Sequence, residues 1–387
     1  MTLLAAASVW WTAIVVMRAG ADTPPPFVLA PGHAHALVMI GAFLPLFFAG
    51  FLCTAGPRWL QLPPVRASSL LPLVGGWLVG WTAFAAGAQL DARIAAIGLA
   101  VVALSWSAFV VRFARMIAAS RADDRVHPIV IATACSAGAA AFWYGAWTLM
   151  VGEPGRLLLV ESMLLGWFVG PVFVGALHRM VPFFHVASPA LEHRFGNAPL
   201  MMLIGALALQ PVVQAIGLAS SDPAAARVAQ ALASVVDATM AVLVTWIAWR
   251  WWRVQNLRIR LLAMLFAGLG WLGVAFALRA ADAFVLVSGH SLPGLRLAAL
   301  HALSMGFFAT TMLAMVSRVT CGQAGRLLSS EHIVWWLFVA LQAATVLRIA
   351  AETMPANPIP LVAAALAWSG AMLAWSLRYI GWYGRAQ

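Results

Sequence analysis

Apolar runs long enough to cross a bilayer recur twelve times along this chain, with little between them. They fall at about 3–18, 33–53, 70–89, 94–111, 128–150, 157–181, 198–219, 228–249, 260–280, 296–317, 332–351 and 358–380, and a spanning helix needs about 20 such residues. No polar stretch is long enough to form a soluble appendage. The pattern predicts an all-α integral membrane protein, with about twelve transmembrane helices in one bundle and residues 1–387 as a single polytopic domain. No internal repeat is convincing. The second run is the most suggestive: PGHAHALVMIGAFLPLFFAGFLCTAGPRW, from Pro31 to Trp59, opens with two histidines and then carries no charge until Arg58.

Composition agrees: 63% of residues are hydrophobic, 9% are charged and mean hydropathy is +0.92, far from the balance of a soluble domain. The net charge of +11 comes from arginine alone, since no lysine occurs. In a soluble protein that excess would suggest nucleic acid. Here the arginines flank apolar runs, where the positive-inside rule accounts for them. Of the 23 basic residues, sixteen follow the even-numbered runs or lie at the C-terminus. Both termini are therefore expected in the cytoplasm. The three cysteines, Cys53, Cys135 and Cys321, then lie in or near the cytoplasmic half, where thiols stay reduced. They form no zinc or disulfide pattern, and the absence of CxxCH excludes covalently attached c-type haem on this chain. The opening stretch lacks a basic n-region and reads as a retained first helix.

This topology sets the depth of the histidines. The second and tenth runs both point inward, so His33, His35 and His301 lie near the outer face. His301 is about one turn past Arg296, a rise of roughly 5 Å, which places it nearly level with His35. Two imidazoles at one level on different helices suit the two axial positions of a haem. His33 and His35 project about 200° apart on one helix, so they cannot grip one ion together. His33 is left for a second metal or haem, or for solvent. Arg279 and Arg296 lie on the same side and are candidates for haem propionates. Glu161 and Asp237 are acids inside apolar runs, costly unless they face the bundle interior. His178 and Arg179 belong to the inner side.

Three stretches carry a family resemblance: GHAHALVMIGAFLPLFFAGFLCTAGPRW, HRMVPFF at 178–184 and LHALSMGFFATTMLAMVSRVTCGQAGR at 300–326. They resemble the NnrS family of bacterial haem- and copper-containing membrane proteins linked to nitric oxide stress. More distantly, the second and tenth helices are similar to the low-spin haem helices of the haem–copper oxidase catalytic subunit, which implies that subunit's helical arrangement. The NnrS resemblance implies haem b held by His35 and His301, with His33 matching the family's other histidine on that helix. It also implies a bacterial inner-membrane location and a role in nitrosative stress tolerance or respiratory electron transfer. Ala36, Phe266 and Gln323 stand where the family carries an acidic residue and two histidines, which weakens the copper side of the likeness. Ala299 stands where a catalytic oxidase needs a second histidine, so an oxidase-type binuclear centre is not supported. Two rival readings remain. One is a quinol-linked oxidoreductase of nitric oxide metabolism, with a second metal near His33. The other is a haem-free transporter or assembly factor.

Overall fold

The computed structural model describes residues 1–20, 26–180, 196–220, 222–254, 257–323 and 332–382. Among the described residues, twelve helices are long and apolar enough to cross a membrane: α1 Thr2–Gly20, α2 Pro31–Trp59, α3 Ala67–Leu90, α4 Ala92–Ala119, α5 Val126–Met150, α6 Pro154–Met180, α7 Asn197–Ala219, α8 Pro223–Arg253, α9 Arg260–Val287, α10 Gly294–Cys321, α11 His332–Thr353 and α12 Ile359–Ile380. The chain is a multi-pass membrane protein. Several helices outrun their apolar cores: α4 continues through Arg112 and Arg115 to Ala119, because arginine is a good helix former that leaves the hydrocarbon without ending the helix.

Contacts divide the chain into two compact units. One consists of α2 to α7; the other consists of α1 with α8 to α12.

In the α2–α7 unit, α3 and α4 approach closely at Gly80, Gly87 and Gly98, where any side chain would strike the facing backbone. With no hydrophobic driving force between helices in lipid, such small-residue contacts are how backbones gain dispersion energy. Trp77, Trp81, Trp106, Phe142 and Phe168 then interlock edge to face or tilted. Each buried indole nitrogen needs an acceptor. Trp106 Nε1 donates to the Cys135 carbonyl at 2.9 Å, and Trp77 Nε1 to the Ala42 carbonyl at 2.6 Å. The second bond lies at a break. α2 is interrupted at Ala42–Phe43, because Pro45 has no N–H for the Gly41 carbonyl and its ring crowds that carbonyl.

In the other unit, α1 and α12 are joined by hydroxyls. Ser369 Oγ donates to the Ser8 carbonyl at 2.8 Å, and Trp368 Nε1 to Ser8 Oγ at 3.0 Å. A second polar seam joins α9, α10 and α11: Trp271 Nε1 donates to Gln342 Oε1 at 2.6 Å, and Gln342 Nε2 donates to Thr310 Oγ1 at 2.8 Å.

A helical irregularity recurs. α6 widens into a π-helix over Leu164–Val169 and α10 over Ala302–Ala309; such segments concentrate at functional sites. In α6, Pro171 withholds the N–H that the Trp167 carbonyl would accept. Aligning the two π-segments aligns Glu161 with His301, each five residues before a glycine (Gly166, Gly306) and an aromatic pair (Trp167–Phe168, Phe307–Phe308). Both glycines are filled by neighbours, Gly166 by the Leu207 backbone and Pro211, and Gly306 by Trp271. α2 follows suit: His35 precedes Gly41 by six residues, Gly41 seats Trp81, and the helix breaks there. The match rests on a few residues among apolar ones, and the helix geometry brings it out.

Candidate functional site

Each irregularity lies just inward of an ionisable residue on α2, α6 or α10. His33 and Glu161 meet within the α2–α7 unit, with His33 Nδ1 2.6 Å from Glu161 Oε1. The imidazole is about a quarter exposed and the carboxylate about an eighth. A bond that short is charge-assisted. Glu161, expected as a solitary buried acid, is held by a histidine 128 residues earlier. With Nδ1 facing the carboxylate, His33 presents Nε2 as its outward nitrogen. His35 is half-buried on the same helix.

His301 is buried in α10, 7% exposed, in the other unit. Its Nδ1 donates to the Leu297 carbonyl one turn earlier, at 2.7 Å. A neutral imidazole that donates from Nδ1 carries its lone pair on Nε2, the tautomer of a metal-ligating histidine oriented by a carbonyl.

The two predicted arginines differ in their surroundings. Arg279 on α9 pairs with Asp237 on α8 at 3.0 Å, and Asp237 is fully buried. The second acid thought solitary therefore has a cation. Arg296 is exposed on the first turns of α10, near enough to Asp282 for the two charges to interact.

Where α5 begins and α6 ends, within the α2–α7 unit, lies a cluster the sequence did not reveal. His127 Nε2 and His178 Nδ1 are 2.9 Å apart, with ring centres 5.2 Å apart and planes at 27°. The difference between these distances matches two ring radii, so the nitrogens face each other nearly in line, as an N–H···N bond requires. One residue on, Arg179 donates to Asp124 at 2.7 Å and lies over Trp59. Burial pushes the Asp124 carboxyl up, but the hydrogen bonds from Arg179 and the Val126 N–H together outweigh it and hold it below its usual value. The order Asp124-x-x-His127, opposite His178-Arg179, makes a double latch between the start of α5 and the end of α6. The signal was a histidine and an acid three apart, just ahead of an apolar run. His185 and His193 lie outside the described residues, as do residues 181–184 and 324–326 of the two inner motifs.

Among the described residues, no group of three or more His, Cys, Asp and Glu could hold a metal ion. That bears on a metal caged by side chains alone. A haem iron takes four ligands from its macrocycle and needs only two axial nitrogens from the protein. His301 presents one buried nitrogen of that kind.

Comparison with curated proteins finds no match. The family described as NnrS protein matches residues 1–387, the whole chain. From its twelve spans to its full-length match, this chain belongs to the NnrS family.

Proposed function

We propose that this protein is a bacterial inner-membrane b-haem protein, in which His35 and His301 are the axial ligands of one low-spin haem. The haem supplies one-electron exchange. The reading rests on family membership, which links the chain to the response to nitric oxide. The single observation that carries it is the buried His301, whose Nδ1 is tied to the Leu297 carbonyl, leaving the lone pair on Nε2. With both axial positions filled by protein, electron transfer is favoured over ligand binding, and nitric oxide reaches the iron only if a histidine lets go. Arg279, paired with Asp237, and Arg296, exposed on the first turns of α10, are the predicted arginines for its propionates.

A second reading has one observation in its favour. His33, oriented by Glu161 at 2.6 Å, has the carboxylate–histidine arrangement that supports metal ligands. It would suit a second metal, copper among them, in a quinol-linked oxidoreductase of nitric oxide metabolism.

The test is a reduced-minus-oxidised spectrum of the purified chain, with haem and metal content. One low-spin b haem per chain is expected. A haem-free preparation, made with haem synthesis intact, overturns the proposal; stoichiometric copper favours the second reading.

A further inference from the structure

Within the α8–α12 unit, α10 and α11 are pinned at two points. Near the outer end Gly294 lies on the backbone of Glu352, so close that any side chain at 294 would collide with it. Further inward, Thr310 on α10 accepts a hydrogen bond from Gln342 on α11. Between these pins, His301 is seven residues inward from Gly294, and Arg348 is four inward from Glu352. At about 1.5 Å per residue, His301 stands about 10 Å inward of Gly294 and Arg348 about 6 Å inward of Glu352, a difference within the reach of an arginine side chain. The Pro293–His301 stretch of α10 packs against α11 along this length, which brings Arg348 into the neighbourhood of His301.

Three ion pairs or charge couplings occupy this part of the unit. Arg279 is held by Asp237, Arg296 is coupled to Asp282, and Arg348 is paired with Glu352 one turn further on its own helix. The first two reach across to acids on α8 and α9. The third lies on the helix that packs against the His301 stretch of α10. Arg348 and Glu352 are both largely buried, and charges held inside a membrane span mark function by default.

We propose that Arg348 is the cation that sets the reduction potential of the group held at His301, with Glu352 as its counter-charge and with donors left for a carboxylate of that group. The assignment rests on the haem reading above. A guanidinium has five donors, and one carboxylate does not exhaust them. In a low-dielectric surrounding, a positive charge near an iron favours the reduced state, which carries one positive charge fewer. Removing Arg348 therefore lowers the potential. Neutralising Glu352 raises it.

The experiment is a redox titration of the haem absorbance in the purified full chain and in Arg348→Met, Arg348→Lys and Glu352→Gln. The expected result is a lower midpoint in Arg348→Met, a higher one in Glu352→Gln and a near-parental one in Arg348→Lys. A merely structural pair would not give shifts of opposite sign. An unchanged midpoint in Arg348→Met, or shifts of the same sign in Arg348→Met and Glu352→Gln, overturns the inference. Should Arg348→Met not fold, Glu352→Gln decides by the sign of its shift. A parent without haem overturns the earlier proposal instead, and its optical spectrum shows this before any titration.

Discussion

α6 and α10 lie in different units and share one local design: an ionisable residue, five positions, a filled glycine, and a π-helical turn. They differ in what occupies the ionisable position. In α6 it is Glu161, which faces His33 within its own unit. In α10 it is His301, whose bonded partner is a backbone carbonyl on its own helix. A carboxylate bonded to an imidazole orients that ring and has its own charge partner. An imidazole bonded only through Nδ1 leaves a nitrogen directed at something else. The same backbone device thus carries a side-chain pair in one unit and, on the haem proposal, a ligand position in the other.

The largest effect separating the units is expected from their charge pairs. Arg279→Met leaves Asp237 buried without its cation, and loss of one partner of such a pair costs about 3–5 kcal/mol. Glu161→Gln keeps an acceptor for His33 and should cost about 1 kcal/mol. Denaturant or thermal unfolding in detergent compares the two, and equal losses would mean that the units handle charge alike. Next come the glycines. Gly166→Ala and Gly306→Ala should each destabilise by about 1–3 kcal/mol through overpacking. Gly166→Ala should lose more, because it meets the Leu207 backbone, whereas Gly306→Ala meets the Trp271 ring. Gln342→Leu removes the acceptor of Trp271 and the donor to Thr310, an expected cost of about 1–3 kcal/mol for buried groups left unmade.

The smallest effect belongs to the Asp124–Arg179 latch. The Asp124 carboxyl is held below its usual value in the folded state. Its contribution is therefore present above the unfolded value of about 4 and is lost as pH falls through the lower folded value. The acid is nearly half exposed, so the contribution is at most about 1 kcal/mol. Asp124→Asn should flatten the decline in unfolding midpoint below about pH 4 and leave neutral pH little changed; a decline as steep as the parent's would remove the latch from the account.

The twelve spans were legible because their signal is local: a run of apolar residues and arginines at its ends. His301 could be singled out in the same way, as an ionisable residue within such a run. The partners could not. Glu161 meets His33 across 128 residues, and His127 meets His178 across 51; nothing in either local pattern encodes the meeting. Arg279 read as a candidate for a haem propionate, because the spacing along α8 and α9 does not reveal that Asp237 lies opposite. The shared design of α6 and α10 was hidden for another reason. The aligned position is glutamate in α6 and histidine in α10, and the rest of the match is glycine and aromatics in a membrane-typical background.

The most direct test of the contrast is the low-spin b-type absorbance of the purified protein in His301→Ala and in Glu161→Ala, with elution volume as a check on folding. The account predicts loss of that spectrum in His301→Ala and its retention in Glu161→Ala. A parental spectrum in a folded His301→Ala protein would contradict it.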